Sequence, residues 1–148
     1  MLEPCHAVRR AVFVEEQAIS ADLEWDHLDA EAEHFLARTP QAPQAQSKPV
    51  GTARLRIVGE SQSIAKAERV AVLASARTTG IGRALMYALE SRAIELGCRH
   101  IRLNAQISVL RFYENLGYTA EAEPFEEAGI EHLAMSKRLA PKNQSASR

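Results

Sequence analysis

The chain of 148 residues is 46% apolar and sets 18 Lys and Arg against 19 Asp and Glu, for a net charge of −1. That length suits one core rather than two, and a charge near zero with dispersed cations lacks the basic field a nucleic-acid partner needs. Cys5 and Cys98 are too few for a disulfide framework and lack zinc spacing, and no apolar run nears the roughly 20 residues of a membrane span or forms a signal segment. A reduced, metal-free, cytoplasmic protein is expected, with neither nucleic acid nor membrane as partner.

In chain order, Ala7, Val8, Ala11 and Val12 recur at helical spacing and predict an amphipathic helix over about 4–16. Polar sequence follows to Ala32. Residues 34–37 read as a short strand and 50–58 as a longer alternating one, and 39–49, with three prolines and three glutamines, read as a surface loop. Residues 67–73 form the next strand. A helix follows, with Ile81, Ala84, Leu85, Ala88, Leu89, Ala93 and Leu96 on one face and Gly97 as its stop. Then come a strand at 101–105, a helix at 108–116 ended by Gly117, and a hairpin of 118–123 with 130–137 around Gly129. Residues 1–140 are expected to form a single α/β domain, a mixed sheet with helices on both faces, and 141–148 a flexible tail.

The functional information is concentrated after the strand Glu68-Arg69-Val70-Ala71-Val72, in Arg77-Thr78-Thr79-Gly80-Ile81-Gly82-Arg83-Ala84. Gly80 and Gly82 let successive N–H groups converge on an anion, and the helix that opens there adds unpaired N–H groups and its positive dipole end. Arg77 and Arg83 offer guanidinium forks, and Thr78 and Thr79 offer hydroxyls, all suited to a diphosphate. A Walker loop would need Lys-Ser or Lys-Thr where Arg83-Ala84 stands. A dinucleotide fingerprint would need a third Gly at Leu85 and an acidic residue at Asn104-Ala105.

This stretch resembles the acetyl-CoA pyrophosphate loop of the GCN5-related N-acetyltransferase (GNAT) superfamily. The segments Val12-Phe13-Val14-Glu15-Glu16-Gln17, Asp26 with Asp29, Gly51-Thr52-Ala53-Arg54-Leu55 and Glu126-Glu127-Ala128-Gly129-Ile130-Glu131-His132 are similar to its ElaA-like branch. The resemblance implies a mainly antiparallel sheet in which the strand through Glu68 to Val72 carries a bulge and splays from its neighbour. The pantetheine arm of acetyl-CoA would enter there, against the backbone of Val70, Ala71 and Val72. Members begin with a strand before the segment matching Val8 to Gln17, so the first strand is expected to be missing. An upstream start, an edge completed by a partner, or an absent edge strand would each account for this, and an exposed edge favours a homodimer.

The resemblance also implies site residues. Tyr113 would protonate the departing thiolate, or would simply form an ordinary apolar helix face with Val109, Phe112 and Leu116; Phe112 stands beside the cofactor in the first case. Glu68 would take a proton from the acceptor ammonium, or simply pair with Lys66 or Arg69. Asn104 would touch the pantetheine arm, or act as a turn former. Glu16, Gln17, His34 and His132 would line the acceptor site, the histidines as alternative bases. The function implied is direct transfer of an acetyl group to a primary amine of a small molecule or peptide, with a non-catalytic acyl-CoA-binding domain as the alternative.

Overall fold

The computed structural model describes residues 2–40, 46–59, 61 and 63–140. The tail beyond 140 and the middle of the 39–49 loop lie outside these residues. Seven strands form one sheet in the order β1-β2-β3-β4-β7-β5, with β6 also pairing β7. They are β1 Glu33–Arg38, β2 Pro49–Val58, β3 Ile64–Val72, β4 His100–Gln106, β5 Thr119–Ala120, β6 Phe125–Glu127 and β7 Ile130–Arg138. β3 runs parallel to β4, and β7 is antiparallel to β4, β5 and β6. By contact the chain divides into two compact units, Met1–Arg54 with Arg69–Leu89, and Leu55–Glu68 with Glu90–Arg148.

The first unit opens on helix α1, Glu3–Arg9, which continues as a π-helix over Arg10–Glu16. The amide of Gln17 reaches back five residues to the carbonyl of Val12 at 3.0 Å, the mark of a π-turn. Apolar spacing foretold the helix but not its widened form, because both windings keep one apolar side. That side buries Val8, Val12 and Phe13 against Ala71 of β3, with Ile19 and Leu73 at the margin. No strand precedes β1 among the described residues, and β1 begins the sheet order.

Gly51 in β2 packs against the start of helix α3, Ile81–Glu95. A Cβ on Gly51 would stand 2.9 Å from Ile81 Cγ2, 3.1 Å from Leu85 Cδ1 and 3.4 Å from the Ala71 carbonyl. The glycine therefore sets how near the first turn of α3 lies to β2. The buried side of α3 holds Leu85, Met86, Leu89 and Ala93, whereas Ala84 and Leu96 are exposed, so the apolar stripe is rotated from the expected one toward Met86 and Glu90. Gly97, at φ +87°, ends the helix as expected.

In the second unit the antiparallel ladder of β4 with β7 spans all of β4, from His100 opposite Arg138 to Gln106 opposite His132. The parallel ladder of β3 with β4 covers only Ile64–Lys66 against His100–Arg102. This early stop is where the expected splay begins. The helix expected over 108–116 is a 3-10 turn, Ile107–Val109, followed by α4, Leu110–Asn115. Ala128 and Gly129 are both left-handed, at φ +54° and +77°, as a tight hairpin of β6 with β7 demands. Of the strand expected at 118–123 only β5 forms, and the hairpin partner of β7 nearest the turn is β6, beyond a segment containing Pro124, which has no N–H to give to a ladder. Burial of Glu90 is made tolerable by Tyr118 Oη, which donates to it at 2.7 Å, and by Lys137 Nζ at 2.9 Å.

Gly51→Ala is expected to destabilise the protein by about 1–3 kcal/mol through overpacking. A urea midpoint at constant slope measures this, and adding Ile81→Ala should cost less in the Gly51→Ala background than in the native one.

Candidate functional site

The turn before α3 is built from residues in unusual backbone states. Thr78 lies at φ +65° and Gly80 at φ +88°, and a Cβ on Gly80 would meet nothing within 4 Å. Glycine is needed there for its backbone angle, and the space in front of it is an open cradle. Helix α3 starts directly behind, with Ala84 N–H on the Gly80 carbonyl at 3.0 Å, so the N–H groups of residues 81–83 precede the first helical bond. Ile81 and Gly82 are half-buried, Ala84 is exposed, and the Arg83 guanidinium stands 5.9 Å from the Tyr87 ring centre.

The other expected phosphate ligands already have partners. Thr78 Oγ1 donates to the Arg77 carbonyl and Thr79 Oγ1 to the Ala76 carbonyl, which shapes the turn. Arg77 sends both terminal nitrogens to the two oxygens of Glu16 at 2.6 Å each, and its Nε to the Val72 carbonyl at 3.0 Å. The hydrogen bonds from Arg77 lower the Glu16 carboxyl below its ordinary range, and those to Glu16 raise Arg77. Gln17 caps the π-helix, half-buried. Val70 and Val72 are half-buried, and Ala71 lies in the apolar cluster.

Also in the first unit, three arginines meet three carboxylates. Arg54, buried in β2, forks onto Asp26 at 2.9 and 2.7 Å and reaches Asp29 at 3.0 Å. Arg9, equally buried, donates to Glu24 at 2.6 Å and to Asp29 at 2.9 Å. Arg69 of β3 donates to the Glu24 carbonyl at 3.0 Å and to Asp26 at 3.2 Å. Its Nε forms an ion pair with Glu24 Oε1 at 3.3 Å but makes no hydrogen bond. Arg9 Nη2 is likewise buried without a hydrogen-bond partner. His6 Nε2 adds a contact to Asp29 at 2.9 Å, and His34 Nε2 meets the Asp29 carbonyl at 3.0 Å. The Arg54 fork holds Asp26 well below the usual carboxylate range. Burial works to raise Asp29, but bonds from Arg9, Arg54 and His6 outweigh it and leave that carboxyl low as well.

The second unit holds the remaining expected residues. Tyr113 on α4 is buried between Phe112, 4.9 Å away edge-on, and Tyr118, 5.9 Å away, and burial pushes its phenol well above the ordinary value. It therefore stays protonated through neutral pH. Both Glu68 oxygens accept from Arg56, at 2.7 and 3.1 Å, and Lys66 Nζ lies 3.4 Å away. His132 is buried and stacked on Phe125, and its Nδ1 lies 2.7 Å from the Ile130 carbonyl. A carbonyl only accepts, so Nδ1 is the donor in this contact and Nε2 is left without a part in it. Asn104 lines a cavity of about 210 Å³ where the β3–β4 ladder stops, with Lys66, Arg102 and Leu103 beside it and Val58, Glu121 and Ala134 closing it.

The chain is similar to known proteins over most of its length. The model of the acetyltransferase (GNAT) domain matches residues 10–139. The chain belongs to the GNAT acetyltransferase family. A Bacillus subtilis protein described as an acetyltransferase is 39% identical over 140 residues, covering 93% of this chain and 89% of its own. The crystal structure of a Lactobacillus plantarum protein described as an N-acetyltransferase superposes with a TM-score of 0.78 at 34% identity, covering 93% of this chain and 90% of that one. Escherichia coli ElaA superposes at 0.75 with 25% identity, over 92% and 88%.

Of the GNAT-type site residues expected from sequence, the first unit gathers Glu16, Gln17, His34, Val70 to Val72 and the turn from Arg77 to Ala84, and the second gathers Glu68, Asn104, Phe112, Tyr113 and His132. Glu16 and His34 are not idle wall residues, since one holds Arg77 and the other braces the Asp29 segment. Sequence reasoning missed Arg9, Arg54 and Arg69 as a group. The available signal was Arg54 inside an alternating strand, directly after Thr52 and Ala53, all three buried.

Because the folded-state values of Asp26 and Asp29 are depressed, the stability they contribute is present in full above the unfolded carboxylate value of about 4 and is lost as pH falls below it. Unfolding free energy should thus decline as pH is lowered from 4 toward their folded values, with Asp26→Asn flattening part of that decline in acid denaturation.

Proposed function

We propose that this GNAT protein is an acetyl-CoA-dependent N-acetyltransferase that passes the acetyl group directly to a primary amine of a small molecule or peptide within a ternary complex. The observation that carries the reading is the open cradle at Gly80, left-handed, at the head of the 15-residue helix α3. The fit is chemical as well as steric, since uncommitted N–H groups, a dipole end and the Arg83 guanidinium all favour a diphosphate.

Acetyl-CoA supplies the acyl group and the thiolate leaving group. In this reading the N–H groups of residues 80–83, with Arg83, bind the diphosphate, and Arg77 joins them when its fork exchanges the Glu16 carboxylate for a phosphate. Backbone groups of Val70 and Val72, and the Asn104 side chain, take the amide arm. Tyr113 Oη keeps its proton through neutral pH and gives it to sulfur. His132 Nε2, the ring nitrogen not engaged by the Ile130 carbonyl, accepts the proton of the acceptor ammonium. Glu68 serves that step less well, because Arg56 occupies both of its oxygens. Direct transfer is favoured over an acetyl-cysteine because both thiols are buried, and burial raises Cys98 away from its thiolate form. Holding both reactants together supplies much of the acceleration.

Two substitutions test this. Calorimetric titration with acetyl-CoA should show saturable binding that Arg83→Ala weakens about 10-fold or more, as loss of a charged hydrogen bond would. With a panel of polyamines, amino sugars and peptide N-termini as acceptors, Tyr113→Phe should lower kcat by about 10²–10⁴ while leaving acetyl-CoA affinity unchanged. An undiminished kcat in Tyr113→Phe would remove the phenol from the reaction, and the absence of acetyl-CoA binding by the native protein would remove the whole reading.

A further inference from the structure

Among the described residues five non-glycines have left-handed backbones, and only Arg69, at φ +54°, lies inside a strand. A side chain at such an angle is strained, and a left-handed residue within a strand interrupts the ladder as a bulge does. Glycine would hold this conformation without strain, so an arginine here needs something to grip it. The grip is visible. The guanidinium is clasped by the Glu24 carbonyl and by Asp26, both on the connection between the π-helix and β1. Those two residues are fixed in turn by the buried forks of Arg9 and Arg54.

We infer that Arg69 is a positioning residue. The carboxylate cage holds it left-handed and so sets the direction of the next backbone groups, Val70 to Val72. This inference rests on the reading of those groups as the dock for the amide arm of acetyl-CoA. In mechanical terms, the connection carrying Glu24, Asp26 and Asp29 is clamped to the cofactor strand through one side chain. The order of that connection and the order of the strand are therefore not independent. A clasp serving stability alone would also explain the ion pairs, but it would give no reason for the clasp to end on a left-handed residue one position before Val70.

Glycine substitution separates the two. Arg69→Ala removes the grip and keeps the penalty of a Cβ, so acetyl-CoA should bind about tenfold more weakly as the backbone relaxes. Arg69→Gly also removes the grip but accepts the left-handed angle, and its affinity should stay within about threefold of native. Asp26→Asn, introduced into the Arg69→Gly protein, should lower the melting temperature without a further loss of affinity, since the cage no longer acts through residue 69. Calorimetry with acetyl-CoA and thermal unfolding read the set. Glycine binding as weakly as alanine, or both binding like the native protein, would overturn the inference. Failure of the native protein to bind would instead defeat the cofactor reading, and the melting temperatures would still reveal the strain by placing glycine above alanine.

Discussion

A guanidinium with no solvent exposure is the constraint from which the first unit is arranged. Arg54 is at 0% exposure in the middle of β2, and burying such a charge unpaired would cost several kcal/mol. Asp26 and Asp29 must therefore come to it. The connection that carries them has little else to hold it, since α2 (Ala21–Glu24) and the 3-10 turn Asp29–Glu31 bury no residue and Leu23 and Trp25 are exposed. Where other segments are fixed by apolar burial, this one is fixed by charge. The arrangement has a cost, visible in the unsatisfied nitrogens of Arg9 and Arg69, and a gain in definition, because guanidinium forks dictate angles that apolar contacts leave loose.

The second unit solves its order differently. Its strands are registered by a complete antiparallel ladder between β4 and β7, and its polar interior is limited to compact satisfied groups such as Glu90 with Tyr118 and Lys137. Burial and the Glu90 carboxylate both raise the Tyr118 phenol, so that hydroxyl remains a donor at every physiological pH. One neutral and one charged donor satisfy Glu90, and the continuous ladder sets His132 opposite Gln106. The two units thus divide the expected chemistry between a charge-braced half and a ladder-braced half.

Much of this was legible in the chain. Alternation marked β2, glycines marked the end of α3 and the β6–β7 turn, and the glycines of the run from Arg77 to Ala84 marked the turn that opens α3. What escaped had physical reasons. Period alone cannot separate a π-turn from an α-turn over seven residues, and the stripe on α3 was misjudged because a buried glutamate looks like surface in a sequence. Thr52 and Arg54 are buried along with Ala53 and Leu55, so the alternation of residue types along β2 is not matched by its burial. The cage was invisible because its members lie up to 60 positions apart, from Arg9 to Arg69, and each alone passes for solvated polarity. The same holds for Arg77, whose motif suggested an open fork while Glu16, 61 residues earlier, closes it.

The thiols have a practical bearing. Cys5 is 4% exposed and Cys98 5%, and the chain has no other cysteine. A disulfide reagent meets almost no accessible sulfur on the folded protein, so colour developed with such a reagent in a mixture testing the proposed reaction would report free coenzyme thiol rather than the protein itself. Slow colour in the absence of coenzyme would then count molecules that have opened, making the same reagent a gauge of unfolding.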